Sequence, residues 1–117
     1  IFSLELTGSG WDEEALSELV HIVKAYDAVN YVYVISSDKE ILSGIRNLAP
    51  SIPLCLEGSV DEASEASFPM VKLDSRDTGS LSAARKAGLR CITCGSRRNA
   101  ARLTEKGFDT IIINDFK

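Results

Sequence analysis

Two rhythms of apolar and polar residues alternate along this chain, one of period two and one close to the helical repeat. Residues 2–7, Phe-Ser-Leu-Glu-Leu-Thr, alternate strictly and stop at Gly8-Ser9-Gly10, which predicts a strand and a turn. From Asp12 to Tyr26 the spacing becomes helical, carried by Leu16, Leu19, Val20, Val23 and Tyr26. Asp12 is the expected N-cap, and Glu13 and Glu14 are set favourably against the helix dipole. Tyr31-Val32-Tyr33-Val34-Ile35 is continuously apolar and β-branched or aromatic, the pattern of a strand covered on both faces. Ser37 and Glu40 then form a capping-box pattern ahead of Ile41, Leu42, Ile45 and Leu48, and Pro50 ends that helix.

The second half of the chain repeats the scheme. Short strands are expected at 52–58 (IPLCLEG) and 70–75 (MVKLDS), with an irregular stretch at 58–69. Ser80 is the expected cap of a helix closed by Gly88, and Arg90–Cys94 is the next strand. Ser96 or Arg97 opens a last helix closed by Gly107, and Thr110–Ile113 is the final strand. The segments RKAGLRCI (85–92) and EKGFDTII (105–112) share a basic residue, a glycine just past a helix and a strand soon after. Glycine suits that place because it enters the left-handed region without a Cβ clash. Regular alternation of strand and helix implies βα units and a mostly parallel α/β sheet. Residues 1–117 are read as one domain, with a flavodoxin-like three-layer sandwich as the alternative architecture. A receiver-like variant of that sandwich needs an acidic pair after the first strand, where this chain has Gly8-Ser9-Gly10.

Composition narrows the classes. The 117 residues are 44% apolar and 26% charged, those of a soluble globular chain rather than a disordered one. A net charge of −4 with no run of Lys or Arg speaks against nucleic acid as a partner. No apolar stretch reaches the roughly 18 residues of a spanning helix. The chain opens as a strand with no initiating Met, so it is expected to begin inside a domain. Three cysteines, an odd number, suggest reduced thiols and a cytoplasmic setting.

Candidate chemistry is sparse. Cys91 and Cys94 have CxxC spacing, but inside a strand positions i and i+3 point to opposite faces, a poor geometry for a disulfide. A structural zinc needs about four ligands, and no second CxxC is present, so these thiols and Cys55 are read as core residues. His21, the one histidine, falls opposite the apolar stripe of its helix and should face water. Ser36 and Ser37 end a strand without an evident base nearby. Glu5 is different: it sits near the C-terminal end of the first strand, where parallel α/β sheets place ligands, and a carboxylate there suits Mg²⁺ or Ca²⁺. The turn Gly95-Ser96-Arg97-Arg98 joins a flexible backbone, a helix start and two cations, a candidate cradle for phosphate or a phosphodiester.

Taken together, LELT (4–7), VISSDKEILSGIRNLAPSIPL (34–54) and AARKAGLRCITCGSRRNAARLTEKGFDTIIIND (83–115) resemble, in order, the C-terminal half of the glycerophosphodiester phosphodiesterases. That family is built on TIM barrels. The resemblance implies a half or partial TIM barrel and, for a complete member, metal-dependent hydrolysis of glycerophosphodiesters in phospholipid metabolism. Of the family's metal ligands, only the Glu of its Glu-x-Lys strand has a counterpart, Glu5. The catalytic histidines and two acidic ligands belong to earlier barrel strands.

Other family positions have changed. Thr7 replaces the strand lysine, Asp38 the Phe after the paired serines, Ile92 a Trp and Gly95 an Asn, while Ile113-Asn114 replaces a closing Thr-Asp. The chain alone is therefore expected to be inactive. An isolated half-barrel would leave sheet edges open, so a missing N-terminal half or a homodimer is the expected partner. A non-catalytic dimerisation or small-anion-binding module is the competing expectation.

Overall fold

Strand and helix alternate throughout residues 2–113, the part of the chain that the computed structural model describes. The chain divides into two compact units, Ile1–Glu57 and Gly58–Lys117.

In the first unit, β1 (Phe2–Glu5) pairs in parallel with β2 (Val32–Ser36), and β2 with β3 (Leu54–Glu57). β2 lies between its neighbours and all five of its residues are buried, as the continuous apolar run requires. A flavodoxin-like sheet would place β1 in the middle, in the order β2-β1-β3; the observed order, β1-β2-β3, excludes it. Helix α1 (Glu13–Ala25) starts where expected, with Asp12 accepting a hydrogen bond from the Ala15 N–H at 2.9 Å. It buries Leu16, Val20 and Val23 and leaves His21 exposed. Helix α2 (Lys39–Leu48) buries Ile41, Leu42 and Ile45. The two helices meet where a Cβ on Gly44 would lie 2.7 Å from Leu16 Cδ1, so the missing side chain sets their approach.

The second unit has β4 (Met70–Lys72) parallel to β5 (Arg90–Gly95), and β5 parallel to β6 (Thr110–Ile113). Its helices are α3 (Val60–Glu65), α4 (Thr78–Lys86) and α5 (Ala100–Lys106). The core is filled by Phe68, Val71, Ile92, Leu103 and Phe108, each at most 2% exposed. Helix α3 corrects the irregular stretch expected at 58–69. Ser59 caps it by accepting the Glu62 N–H, and its hydroxyl donates to Glu62 Oε1, both at 3.1 Å. Ser-x-x-Glu is a helix-start signal, and Val60 and Ala63 bury one face.

Three other helix starts also move. Asp38, not Ser37, caps α2 by accepting the Glu40 N–H at 2.9 Å. Asp77, not Ser80, caps α4 by accepting the Ser80 N–H at 3.0 Å. The Ser80 hydroxyl and N–H hold the Asp77 carboxyl below the usual carboxylate range. Helix α5 begins at Ala100, after Asn99, rather than at Ser96 or Arg97.

Helix ends show a common device. After α4 and α5, Gly88 and Gly107 take positive φ, and the next residue bonds back into the helix, Leu89 N–H to Ala84 O and Phe108 N–H to Leu103 O. This is the Schellman closure the repeated glycines suggested. The same closure follows α1 and α3, with Asp27 (φ 54°) and Ser67 (φ 60°) in place of glycine and Ala28 and Phe68 donating to Val23 O and Ala63 O. Among the described residues, no helix is long and apolar enough to cross a membrane.

Candidate functional site

Parallel strands bring their C-terminal ends to one edge of a sheet, and in each unit that rim collects the polar side chains. In the first unit Glu5 pairs with Ile35 and Ile35 with Cys55, so these three residues share a face. Glu5 ends β1 and is exposed, while Leu6, on the opposite face, is buried. Two residues beyond Cys55, and so on the same face as Glu5, Glu57 ends β3 and is also exposed. Two strand spacings, roughly 10 Å, separate β1 from β3. Glu57 was missed in the sequence, although a carboxylate followed by glycine at the end of an apolar run marks the same kind of strand end as Glu5. Both side chains offer hard oxygen donors of the kind Mg²⁺ and Ca²⁺ take. Among the described residues no three His, Cys, Asp or Glu side chains gather as a metal-holding group.

The rim beside Glu5 is tied down by hydrogen bonds. Ser36 is buried; its hydroxyl donates to Leu6 O at 3.0 Å and accepts the Asp38 N–H at 3.1 Å. With its donor and an acceptor site used in this way, it joins the ends of β1 and β2 rather than presenting a nucleophile. Trp11 Nε1–H donates to Thr7 O at 3.0 Å and fixes the loop leaving β1. His21 lies on the exposed side of α1.

In the second unit the 95–98 turn has a different construction from a helix start. The Ser96 N–H donates to Asn99 Oδ1 at 2.8 Å, and the Asn99 N–H reaches Ser96 Oγ at 3.3 Å. Arg97 and Arg98 are exposed at its tip. Gly95 serves packing: a Cβ there would lie 2.7 Å from Leu103 Cδ1, 2.9 Å from Asn99 Oδ1 and 3.1 Å from Ile111 Cγ2. Any larger residue at 95 would compete with the Asn99 amide for one space. At the end of β4, Lys72 is half-buried and in register with Ile92, a cation on the rim that sequence reasoning passed over. Beyond it Arg76 Nε pairs with Asp74 Oδ1 at 3.1 Å, which holds the Asp74 carboxyl below the usual range and raises Arg76.

The cysteines lie as the strand geometry implied. Cys91, with Thr93 and Gly95, alternates with Ile92 and Cys94, so Cys91 and Cys94 face opposite sides of β5. Cys55, Cys91 and Cys94 form no disulfide; Cys55 and Cys91 are buried and Cys94 is half-buried. Burial, reinforced by the Asp109 carboxylate, pushes the Cys91 thiol up, away from a reactive thiolate.

Comparison with known proteins places this geometry. The Oleispira antarctica phosphodiesterase solved with its product sn-glycerol-3-phosphate matches 95% of this chain and 50% of its own, with 18% identity and a TM-score of 0.78. A Parabacteroides distasonis glycerophosphodiester phosphodiesterase matches 96% of this chain and 51% of its own, at 15% identity and a TM-score of 0.75. A Galdieria sulphuraria protein provisionally assigned as a glycerophosphodiester phosphodiesterase reaches 0.80 over 95% and 52%, at 18% identity. The fold is that of half such a chain. It is α/β, made of parallel βα units of a partial TIM barrel, as the resemblance implied. This chain spans about half the length of the solved proteins it matches. No family model and no curated protein matches the sequence. Of the changed family positions, Thr7 is exposed, Asp38 caps α2, Ile92 is buried and Gly95 packs on Leu103, while Asn114 lies outside the described residues.

Proposed function

We propose that this chain is part of a glycerophosphodiester phosphodiesterase-type barrel and depends on a complementary segment for activity. The observation that carries this reading is the match of 95% of the chain to half of a phosphodiesterase solved with sn-glycerol-3-phosphate. A TIM barrel has eight strands; six are described here, which leaves two for the complement. Two copies of this chain would bring twelve strands, too many for an eight-stranded barrel, so a complement fits better than a homodimer.

Glu5 is the residue of this chain that would hold a divalent cation, Mg²⁺ or Ca²⁺, with Glu57 on the same face. The remaining ligands would come from the complement and from water. When bound, such a cation polarises a phosphoryl oxygen. In the reaction water attacks phosphorus, the bond to the alcohol oxygen breaks, and glycerol phosphate and an alcohol leave. The pair of histidines that moves the protons in the family would also come from the complement, since His21 is on the outer side of a helix. Arg97 and Arg98 would attract the anion without holding it through the Ser96 N–H, which Asn99 already takes.

The test is a single-chain chimera in which this chain replaces the matching half of the Oleispira phosphodiesterase, assayed on a glycerophosphodiester with Mg²⁺ or Ca²⁺. Turnover is expected from the chimera and none from the chain alone. Glu5→Gln should remove that turnover without lowering the melting temperature. Turnover by the chain alone would remove the need for a complement, and turnover unchanged by Glu5→Gln would overturn the ligand assignment.

A further inference from the structure

Helices α1 and α2 leave a groove of about 430 Å³ between them, within the first unit. On α2 it follows Glu40, Ile41, Gly44, Asn47 and Leu48, the spacing of one helical face. At about 1.5 Å per residue, that face is about 12 Å long. The floor is apolar: Leu16 and Ile41 are buried, Leu48 is half-buried, and Gly44 adds no side chain. The end where both helices start has another character. Trp11 stands there, half-buried, with its Nε1–H held by Thr7 O, and the exposed carboxylates of Glu13, Asp38 and Glu40 share that end. Among the described residues no cationic side chain lines the groove, and these carboxylates do not gather as a metal-holding group. Dispersed negative charge beside an indole suits a bulkier, weakly hydrated organic cation, which an aromatic face also attracts.

We propose that this groove binds a small alkylammonium ion. Its ammonium lies at the end formed by Trp11, Glu13 and Glu40, and its chain runs along Leu16, Ile41 and Leu48. Charge decides the head of the ligand and the apolar floor decides its tail. The ligand is a free small molecule rather than a lysine of another protein, because the groove closes on Leu48, an apolar setting for a chain end and not for the peptide backbone that a lysine brings. The groove belongs to two helices of this chain, so the proposal stands apart from the phosphodiesterase reading and from any complement.

Trp11 is the single tryptophan, so its fluorescence reports occupancy of the groove directly. Titration with hexylammonium should change that emission saturably, with the Gly44 amide resonance moving in step. Hexanol and hexanoate, which lack the positive charge, should need concentrations on the order of tenfold higher or give no response. Propylammonium, too short to reach Leu48, should bind more weakly than hexylammonium, and added salt should weaken both. Glu13→Gln with Glu40→Gln should weaken hexylammonium on the order of tenfold, each single variant lying between, while the melting temperature stays nearly unchanged because both side chains are exposed. Asp38 is left in place because it caps α2. No saturable response in either readout overturns the proposal, and so does equal binding of hexanol or an unaltered affinity in the double variant. Mg²⁺ producing the same response would overturn it as well, since the carboxylates would then collect any cation. So would a response to a lysine-bearing peptide but not to hexylammonium, because the occupant is then a protein segment.

Discussion

Ser36 in β2 and Thr93 in β5 are the two buried polar residues of the described chain, each on the middle strand of its unit. Their hydroxyls have opposite fates. Ser36 donates to Leu6 O and accepts from the Asp38 N–H, so it links the end of β1 to the start of α2. Thr93 Oγ1 has no hydrogen-bond partner among the described residues. A buried hydroxyl stabilises when its bonds are made and costs free energy when they are not. The same functional group is thus a fastening in one unit and a burden in the other. The difference extends to the rims. In the first rim the Ser36 hydroxyl ties the end of β2 to the end of β1, whereas the Ser96–Asn99 turn of the second closes on itself.

Removing the fastening should have the largest effect. Ser36→Ala leaves a buried carbonyl and an N–H without their partner, and should lower unfolding free energy by about 1–3 kcal/mol, measured by denaturant titration. Relieving the burden should be smaller and of opposite sign. Thr93→Val keeps the shape and the β-branch, and a gain of about 1 kcal/mol in the same titration is expected. A loss there would mean that Thr93 makes a bond in solution.

The left-handed helix ends compare the units again. Asp27 in the first unit and Ser67 in the second hold positive φ with a side chain, at a cost of roughly 1–2 kcal/mol relative to glycine. Asp27→Gly and Ser67→Gly should each raise the melting temperature, offset in part by the entropy glycine loses on folding. If only one does, the other side chain earns its place by interactions of its own.

The smallest effect concerns acid. Asp77 and Asp74 have lowered pKa values in the folded state, so their stabilisation is present above the unfolded value of about 3.9. It is lost as pH falls through the lower folded values. Asp77→Asn keeps an α4 cap and should flatten the part of the stability–pH curve below about pH 4. An unchanged curve would show that the carboxylate charge at this cap does not matter. Both carboxylates are exposed, so solvent screening keeps the effect small.

Much of the fold was legible from local patterns. The bounds of β6, the cap of α1, its Leu16, Val20 and Val23 stripe (Tyr26, read with it, is exposed) and the Gly88 and Gly107 closures followed from periodicity and from glycine's freedom at positive φ. Helix α3 was missed although Ser59-x-x-Glu62 is a start signal, because its six residues are too few to show a convincing period. The Asp27 and Ser67 closures were not legible, because neither residue announces the left-handed region as glycine does. At the candidate site, Glu5 could be placed from the end of its strand, while Glu57 and Lys72 looked like ordinary ends of short apolar runs.

The sequence by itself determined the order of the strands and of every helix except α3, the parallel α/β class and the buried face of α1 and α2. These properties depend on residues close together in the chain, where a period of two or 3.6 leaves a visible trace. Only the tertiary structure decided that Ser36 is a tie between β1 and α2, that Gly95 is small because Leu103, Asn99 and Ile111 surround it, and that Glu57 shares a face with Glu5. Each of these depends on residues remote in sequence meeting across strands or between a strand and a helix. Pairing register and side-chain volume set those meetings, and neither leaves a local pattern to read.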